Sequence, residues 1–354
     1  GKPRGSSRVS SDRLLIRVDA APHLGAGHAL RCLALAQAWR AGGGKVTFAT
    51  ASMLPPLRDR LVAEGAELAE LPPSADRRDD ARRTARLATT RRAAWVVVDG
   101  YAFDDAYERT LHDSGLRVLS LDDYGHARHD FATAVLNQNP AAAEIGYPPY
   151  AARRQLLGRD YVLLRNEFRR PSRPRVEPAR PPRRILVTLG GSDPENLTQT
   201  VVDALISGAP PEREPAVVVG PGYAAVDRLR SSLTSVPGCS LHVNVSDMAP
   251  LMDEVDLAVS AAGSTMWELA HRGVPTLSIT TADNQRVVAA ACRRAGLSLD
   301  LGPPDAELAG RLRAALSALS VEPDRMAAMS TAGRRLIDGR GADRVAHILR
   351  SYAA

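Results

Sequence analysis

Short apolar runs alternate with longer helix-patterned stretches along almost the whole chain, and Gly, Pro or polar residues separate one from the next. Runs this short and this apolar read as strands covered on both faces. The stretches between them read as crossover helices, and together they predict parallel sheets. The first half predicts strands at 14–18, 46–49, 95–98, 118–121 and 134–136, and the second half at 185–189, 216–219, 240–243, 257–260 and 276–279. The stretch 77–92 is helix-prone and heavily charged, which fits an exposed outer helix. From 306 to 352 the pattern predicts two or three helices and no further strand.

The two series are separated at 169–183, where RRPSRPRVEPARPPR replaces periodicity with Pro and Arg. Proline removes a backbone donor and restricts the residue before it, so neither helix nor central strand is expected there. The expected organisation is a flexible tail at 1–12, a first Rossmann-like domain at 13–168, a linker at 169–183 and a second Rossmann-like domain with terminal helices at 184–354. At 354 residues the chain exceeds what one core usually serves, in keeping with two domains.

Charge narrows the choice of partner. The 46 basic residues against 40 acidic ones give +6, but the bases are spread and mixed with acids. A nucleic-acid surface would concentrate them in a stripe with stacking aromatics, so no nucleic-acid partner is expected and small anionic ligands are. The three cysteines, Cys32, Cys239 and Cys292, are odd in number and far apart, which suits a reducing, cytoplasmic setting and excludes a disulfide scaffold. No apolar run approaches the ~18 residues of a membrane span. The polar opening at 1–12 is expected to be neither signal peptide nor anchor.

Candidate chemistry sits where strands run into helices. After the first strand come Asp19 and then PHLGAGHALRC, in which Gly25 and Gly27 form a tight turn, His28 opens a helix and Arg31 lies one turn on. Such a turn admits a ligand to the backbone and aims unpaired N–H groups at an anion. A positive helix start disfavours imidazolium and keeps His28 neutral, as a general base requires. Helix capping or packing is the alternative use of that histidine. The third position of a dinucleotide fingerprint holds Leu30, and no acid ends the second strand, so no nicotinamide or flavin cofactor is expected.

In the second half, LGGSDPENLT places Gly190, Gly191 and Ser192 directly after a strand, with Asp193 expected as N-cap and Pro194 as the first helical residue. A phosphate cradle and an ordinary connection are both consistent with it. The stretch GSTMWELA sets Gly263, Ser264 and Thr265 at a helix start, with Glu268 one turn beyond Ser264. That carboxylate can clasp a ribose or close a capping box with Thr265. Strand ends further supply Asp99 and Tyr101, and Asn284 and Gln285 in TADNQ, which suit sugar hydroxyls or a positioned water, or act as turn formers. For Asp122 and Asp123, adjacent side chains point apart and no His or further carboxylate completes a set, so no metal site is expected there.

The GAGH turn with RCLALA, the LGGSDPENLT segment, and GSTMWELA through DNQ together resemble the UDP-sugar hydrolases of the pseudaminic acid pathway and their spore-coat relatives, in order over about 13–300. The resemblance implies the glycosyltransferase B fold, close to the transferase that adds N-acetylglucosamine in peptidoglycan synthesis, with the sugar side and base in the first domain and UDP in the second. It implies metal-independent, inverting hydrolysis of a UDP-linked diacetamido-trideoxy-altropyranose or a related UDP-sugar. His28 matches the general base, Tyr101 and Asn284 match groups that place water or substrate, and Ser264 and Glu268 match the UDP segment opposite Gly190 and Gly191. An inverting glycosyltransferase and a non-catalytic nucleotide-sugar binder are the alternatives. The stretch around Pro22 and His23 and the Arg-rich linker depart from the family.

Overall fold

The computed structural model describes residues 12–148, 152–172, 181–191, 193–207, 213–234 and 236–352. The tail at 1–11, most of the linker and Ser192 therefore lie outside the described residues.

Among the described residues the chain forms two wholly parallel sheets. The first contains β1 (Arg13–Val18), β2 (Lys45–Thr50), β3 (Glu67–Glu70), β4 (Trp95–Asp99), β5 (Val118–Leu121), β6 (Ala134–Asn137) and β7 (Arg154–Leu157), in the order β3-β2-β1-β4-β5-β6-β7. Its helices are α1 (Gly27–Ala41), α2 (Pro55–Ala63), α3 (Arg77–Thr90) and α4 (Asp105–Asp113), and the short α5 (Asn166–Arg169) that follows packs on the second half. The second contains β8 (Arg184–Thr188), β9 (Glu214–Val219), β10 (Ser240–Val243), β11 (Leu257–Ala261), β12 (Thr276–Ile279) and β13 (Ser298–Asp300), in the order β10-β9-β8-β11-β12-β13. Around it lie α6 (Leu197–Ile206), α7 (Val226–Thr234), α8 (Ala249–Glu254), α9 (Thr265–Arg272), α10 (Arg286–Arg294), α11 (Leu308–Val321) and α12 (Pro323–Leu336), and the last helix, α13 (Gly341–Ser351), returns to the first half.

All the predicted strands form, and the central ones are apolar for the expected reason: every residue of β4, β5, β6 and β11 is buried, with helices on both faces. The three strands absent from the sequence reading, β3, β7 and β13, are all sheet edges. Edges face solvent and carry mixed residues such as Glu67, Glu70 and Arg154, so they lack a continuous apolar run. In each sheet the strand order reverses once, between β1 and β4 and between β8 and β11. That reversal opens a crevice at the carboxyl ends of the flanking strands, the usual ligand position in such sheets.

Packing redraws the domain boundary. Val162, Leu164 and Phe168 bury in the second core, among Leu186, Val218 and Trp267. Conversely, Ala342, Val345, Ala346 and Leu349 of α13 bury in the first core. The Trp95 Nε1–H donates to the Leu349 carbonyl at 2.9 Å, and Arg350 bonds the Gly42 carbonyl at 2.7 Å. The chain therefore crosses between domains twice, and the expected extents 13–168 and 184–354 each surrender a segment to the other.

Candidate active site between the domains

A cleft of about 400 Å³ lies where the two crevices face each other. Its lining includes Gly25, Gly27, His28, Arg31 and Tyr101 from the first domain and Gly190, Gly191, Gly263, Ser264, Thr265, Glu268, Asn284 and Gln285 from the second. All these were candidates from sequence alone.

On the first wall, β1 ends at Val18 directly opposite Asp99 of β4, and α1 begins beside them. The Ala26 N-cap makes no side-chain capping bond, so the first N–H groups of α1 are left for a ligand. Inward residues of α1 are buried from Ala29 onward, which anchors the helix and fixes the direction of His28 and Arg31. Arg31 is 6% exposed and fastens two carboxylates: it bonds Asp99 through two contacts of 2.7 Å and Asp123 at 2.6 Å. Burial alone would raise the Asp123 pKa, but Arg31, with His28 and Tyr101, holds it below the usual carboxylate value.

His28 stands between those carboxylates, its Nδ1 4.0 Å from Asp99 and its Nε2 4.0 Å from Asp123. Burial lowers the imidazole pKa, with Arg31 adding to it and Asp99 opposing it, so the net direction is down. The ring stays neutral near pH 7, yet it faces a triad whose formal charge is negative. An imidazolium formed during reaction would be compensated where it forms. Tyr101 meets the His28 ring edge-on at 5.0 Å and donates its hydroxyl hydrogen to Asp123 at 2.8 Å. Burial beside Asp123 pushes the Tyr101 phenol well above its ordinary value, so it remains a donor.

The second wall is made largely of backbone. Gly190 has φ +105, which a side chain would strain, and it turns β8 toward α6. Gly27 of the first wall lies against α9, where an added Cβ would stand 3.5 Å from the Ser264 hydroxyl across the cleft. Ser264 precedes α9 without making a side-chain cap. Glu268 does not close a capping box either: its carboxylate pairs with Arg165 at 3.0 Å. Burial raises the Glu268 pKa, with Arg165 opposing.

Polar contacts bridge the walls. The Asn284 side-chain amide donates to the Tyr101 hydroxyl at 2.8 Å, linking the second domain through Tyr101 to Asp123. Arg60 of α2 donates to the Ser246 carbonyl and to Glu167, both at 2.7 Å. Since Glu167 also accepts from Arg165 at 2.7 Å, alternating charges run from Arg60 through Glu167 and Arg165 to Glu268.

Not every candidate reaches the cleft. Asp19 is diverted to its own neighbourhood, where its carboxylate accepts from the backbone of Ala51 (2.7 Å) and Ser52 (3.1 Å) and pairs with Arg17 at 2.7 Å. It shapes the loop after β2 and is no part of the cleft lining. The helix expected to start at Pro194 starts at Leu197. Asp193 caps it from outside, accepting from Leu197 at 2.9 Å and Thr198 at 2.7 Å. Asp123, Asn139, Arg60 and Arg165 line the cleft and were missed. Their signals were NQN at the end of a strand and a lone Arg within LLRNEF; Asp123 was weighed only as a metal ligand.

Asp122 does point away from Asp123, as expected, but it does not lack histidines. His126 and His129 come round to it on the loop after β5, each bringing a donor atom to within 4.8 Å of the other two. The three-residue and four-residue spacings concealed this because the loop turns back through Gly125 and through His129 at φ +59.

No family model matches the chain. Among curated proteins it is 31% identical over 198 residues to the spore coat polysaccharide biosynthesis protein SpsG of Bacillus subtilis, covering 54% of this chain and 57% of that one. It is 32% identical over 193 residues to the UDP-N-acetylglucosamine–N-acetylmuramyl-(pentapeptide) pyrophosphoryl-undecaprenol N-acetylglucosamine transferase of Gloeobacter violaceus, covering 53% and 54%. The matches span about half the length of these relatives. Among solved structures, Anabaena HepE in complex with UDP-glucose aligns with TM-score 0.63 at 11% identity over 96% of this chain and 99% of that one. The chain therefore has the two-domain glycosyltransferase B fold. Among the described residues no helix is long and apolar enough to cross a membrane.

Proposed function

We propose that this chain is a UDP-sugar-dependent enzyme that brings a hydroxyl nucleophile onto the anomeric carbon with inversion, using His28 as general base. The observation that carries the reading is the placement of a neutral imidazole at a helix start, between Asp99 and Asp123, facing a backbone-lined turn across the cleft. The base removes the proton of the nucleophile as its oxygen bonds to the anomeric carbon. The sugar–oxygen bond to the diphosphate breaks on the opposite face, and UDP leaves with the electron pair. The starts of α1 and α9 and the turn at Gly190 and Gly191 can stabilise the departing charge through N–H groups. Glu268 is the group proposed to take the ribose hydroxyls, and Tyr101 and Asn284 to position the nucleophile.

Transfer to an acceptor hydroxyl is the leading form, supported by the N-acetylglucosamine transferase relative and by the UDP-glucose complex on the same fold. Water as nucleophile is the second form, favoured by the resemblance of the GAGH, GSTMWELA and DNQ segments to UDP-sugar hydrolases. The test is incubation of the purified chain with a panel of UDP-, CDP- and GDP-linked N-acetyl and diacetamido sugars, with and without acceptor glycans, read by mass spectrometry. UDP release that requires acceptor supports transfer, and equal amounts of UDP and free sugar without acceptor support hydrolysis. Binding without turnover on any donor would reduce the chain to a nucleotide-sugar sensor and sink both forms.

A further inference from the structure

We propose that Asp122, His126 and His129 form a site for one divalent transition metal of the zinc type, a structural staple beneath the catalytic wall. The proposal does not depend on which reaction the cleft performs.

The argument begins with hydrogen-bond counting. The Nδ1 of His129 lies 2.7 Å from the Glu108 carboxylate, and its Nε2 lies 3.4 Å from Asp122 Oδ2. The Nε2 of His126 lies 3.3 Å from the Phe103 carbonyl, and its Nδ1 lies 2.8 Å from Asp122 Oδ1. Each ring is thus set between two acceptors, whereas a neutral imidazole has one N–H. Donating Nδ1–H to Glu108 leaves His129 Nε2 as a lone pair turned toward Asp122, whereas the single N–H of His126 serves either Asp122 or Phe103. His129 is fully buried, and its Nε2, 3.4 Å from Asp122 Oδ2, makes no well-formed hydrogen bond among the described residues. Protonating both rings would instead place two cations at a ring separation of 5.3 Å, and protonating His129 alone would give an ion pair with Glu108 and Asp122, the state the metal has to displace. A single divalent ion replaces both protons.

Geometry and chemistry agree with this. Zinc binds imidazole nitrogen and carboxylate oxygen at about 2.0–2.2 Å, so neighbouring ligand atoms of a tetrahedral site lie about 3.3 Å apart. The contacts to Asp122, 2.8 Å to Oδ1 and 3.4 Å to Oδ2, lie near that spacing, and one donor atom from each residue lies within 4.8 Å of the other two. A ligating histidine typically has its other N–H held by a carboxylate or carbonyl, the roles here of Glu108 and Phe103. Tyr147 donates to Asp122 Oδ2 and would orient the carboxylate in the same way. Two imidazoles with one carboxylate suit zinc or cobalt(II) better than magnesium or calcium, which prefer oxygen. Backbone N–H bonds from Asp123, Tyr124 and Gly125 explain the burial of Asp122. They do not explain why two imidazole rings converge on it. A staple here would hold the loop whose next residue, Asp123, fastens Arg31 and Tyr101.

The test uses the full chain, purified without a metal-binding tag and dialysed against metal-free buffer. Elemental analysis is expected to find about one zinc per chain. Chelation should lower the melting temperature, and cobalt(II) in place of zinc should show the visible bands of a tetrahedral nitrogen and oxygen site. His126→Gln, which keeps a polar side chain of similar size, is expected to weaken zinc binding by about tenfold or more, with folding checked by circular dichroism. Two results overturn the proposal: a chain that stays metal-free with no cobalt bands and no thermal shift on adding zinc, which would leave an ion-paired knot, or unaltered zinc affinity in His126→Gln.

Discussion

The two walls of the cleft are built from the same strand-turn-helix unit, yet they present different kinds of matter. The first wall concentrates ionisable side chains: His28 lies 4.0 Å from both Asp99 and Asp123, Arg31 bonds both carboxylates, and Tyr101 bonds Asp123. The second offers glycine turns, helix starts and one carboxylate, Glu268, already paired with Arg165. Fixed backbone dipoles bind an anion well whatever the protonation state, whereas moving a proton needs a titratable group with its surroundings prearranged. On the proposed function, bond-making falls to the first wall and nucleotide capture to the second, and that division can be broken one residue at a time.

The largest effect should come from His28→Ala. Loss of a general base costs about a hundred- to ten-thousand-fold in turnover, while UDP affinity measured calorimetrically should stay within about twofold because the second wall is untouched. Unchanged turnover would dismiss the assignment. Asp99→Ala tests the same wall as structure: deleting one partner of a buried ion pair costs about 3–5 kcal/mol, and urea unfolding should show a loss of that order. A loss below about 1 kcal/mol would mean that Arg31 is held well enough by Asp123 alone.

Glu268→Ala should act in the opposite sense. A charged hydrogen bond contributes about 1.5–3 kcal/mol, so UDP binding should weaken roughly tenfold to a hundredfold with turnover at saturating donor little changed. A fall in turnover with intact affinity would move Glu268 to the catalytic side. The pH profile sharpens the contrast further. Burial lowers the His28 pKa below 6.5, the base works only when neutral, and protonation removes activity as pH falls. The acid limb of kcat/KM should therefore inflect below 6.5 and flatten above it, and UDP binding should not follow that limb. Asn284→Ala removes one neutral cross-cleft bond of about 0.5–1.5 kcal/mol. It should reduce turnover several-fold and lower the chain's stability hardly at all; no kinetic change would make the Asn284 contact to Tyr101 incidental.

How much of this was readable in advance follows from what each residue depends on. The buried strands were legible because burial on two faces demands a continuous apolar run, as at Trp95–Asp99. The edges β3, β7 and β13 were not, since half their environment is water. His28, Gly190 and Glu268 could be found because a turn or helix start is a local event, and local chemistry announces it. Asp123 and Arg165 could not, because each owes its place to partners far along the chain: Asp123 to Arg31 and Tyr101, Arg165 to Glu268. Asp19 failed for the mirror reason. Its position at a strand end promised a ligand, but the loop at 50–52 claimed its carboxylate first. The capping-box reading of Glu268 fell to Arg165 in the same way.

Trp95 and Leu349, joined by a hydrogen bond, are 254 positions apart. During synthesis the first Rossmann unit must therefore wait, with a flank of its apolar interior uncovered, until the whole second unit has emerged and α13 can dock. Ribosome-bound chains stopped before that helix should be sticky and chaperone-dependent. An engineer who wants either half alone has to transplant α13 with the first unit and the Val162 to Phe168 strap with the second, because the linker is where the string of residues divides and the globules do not.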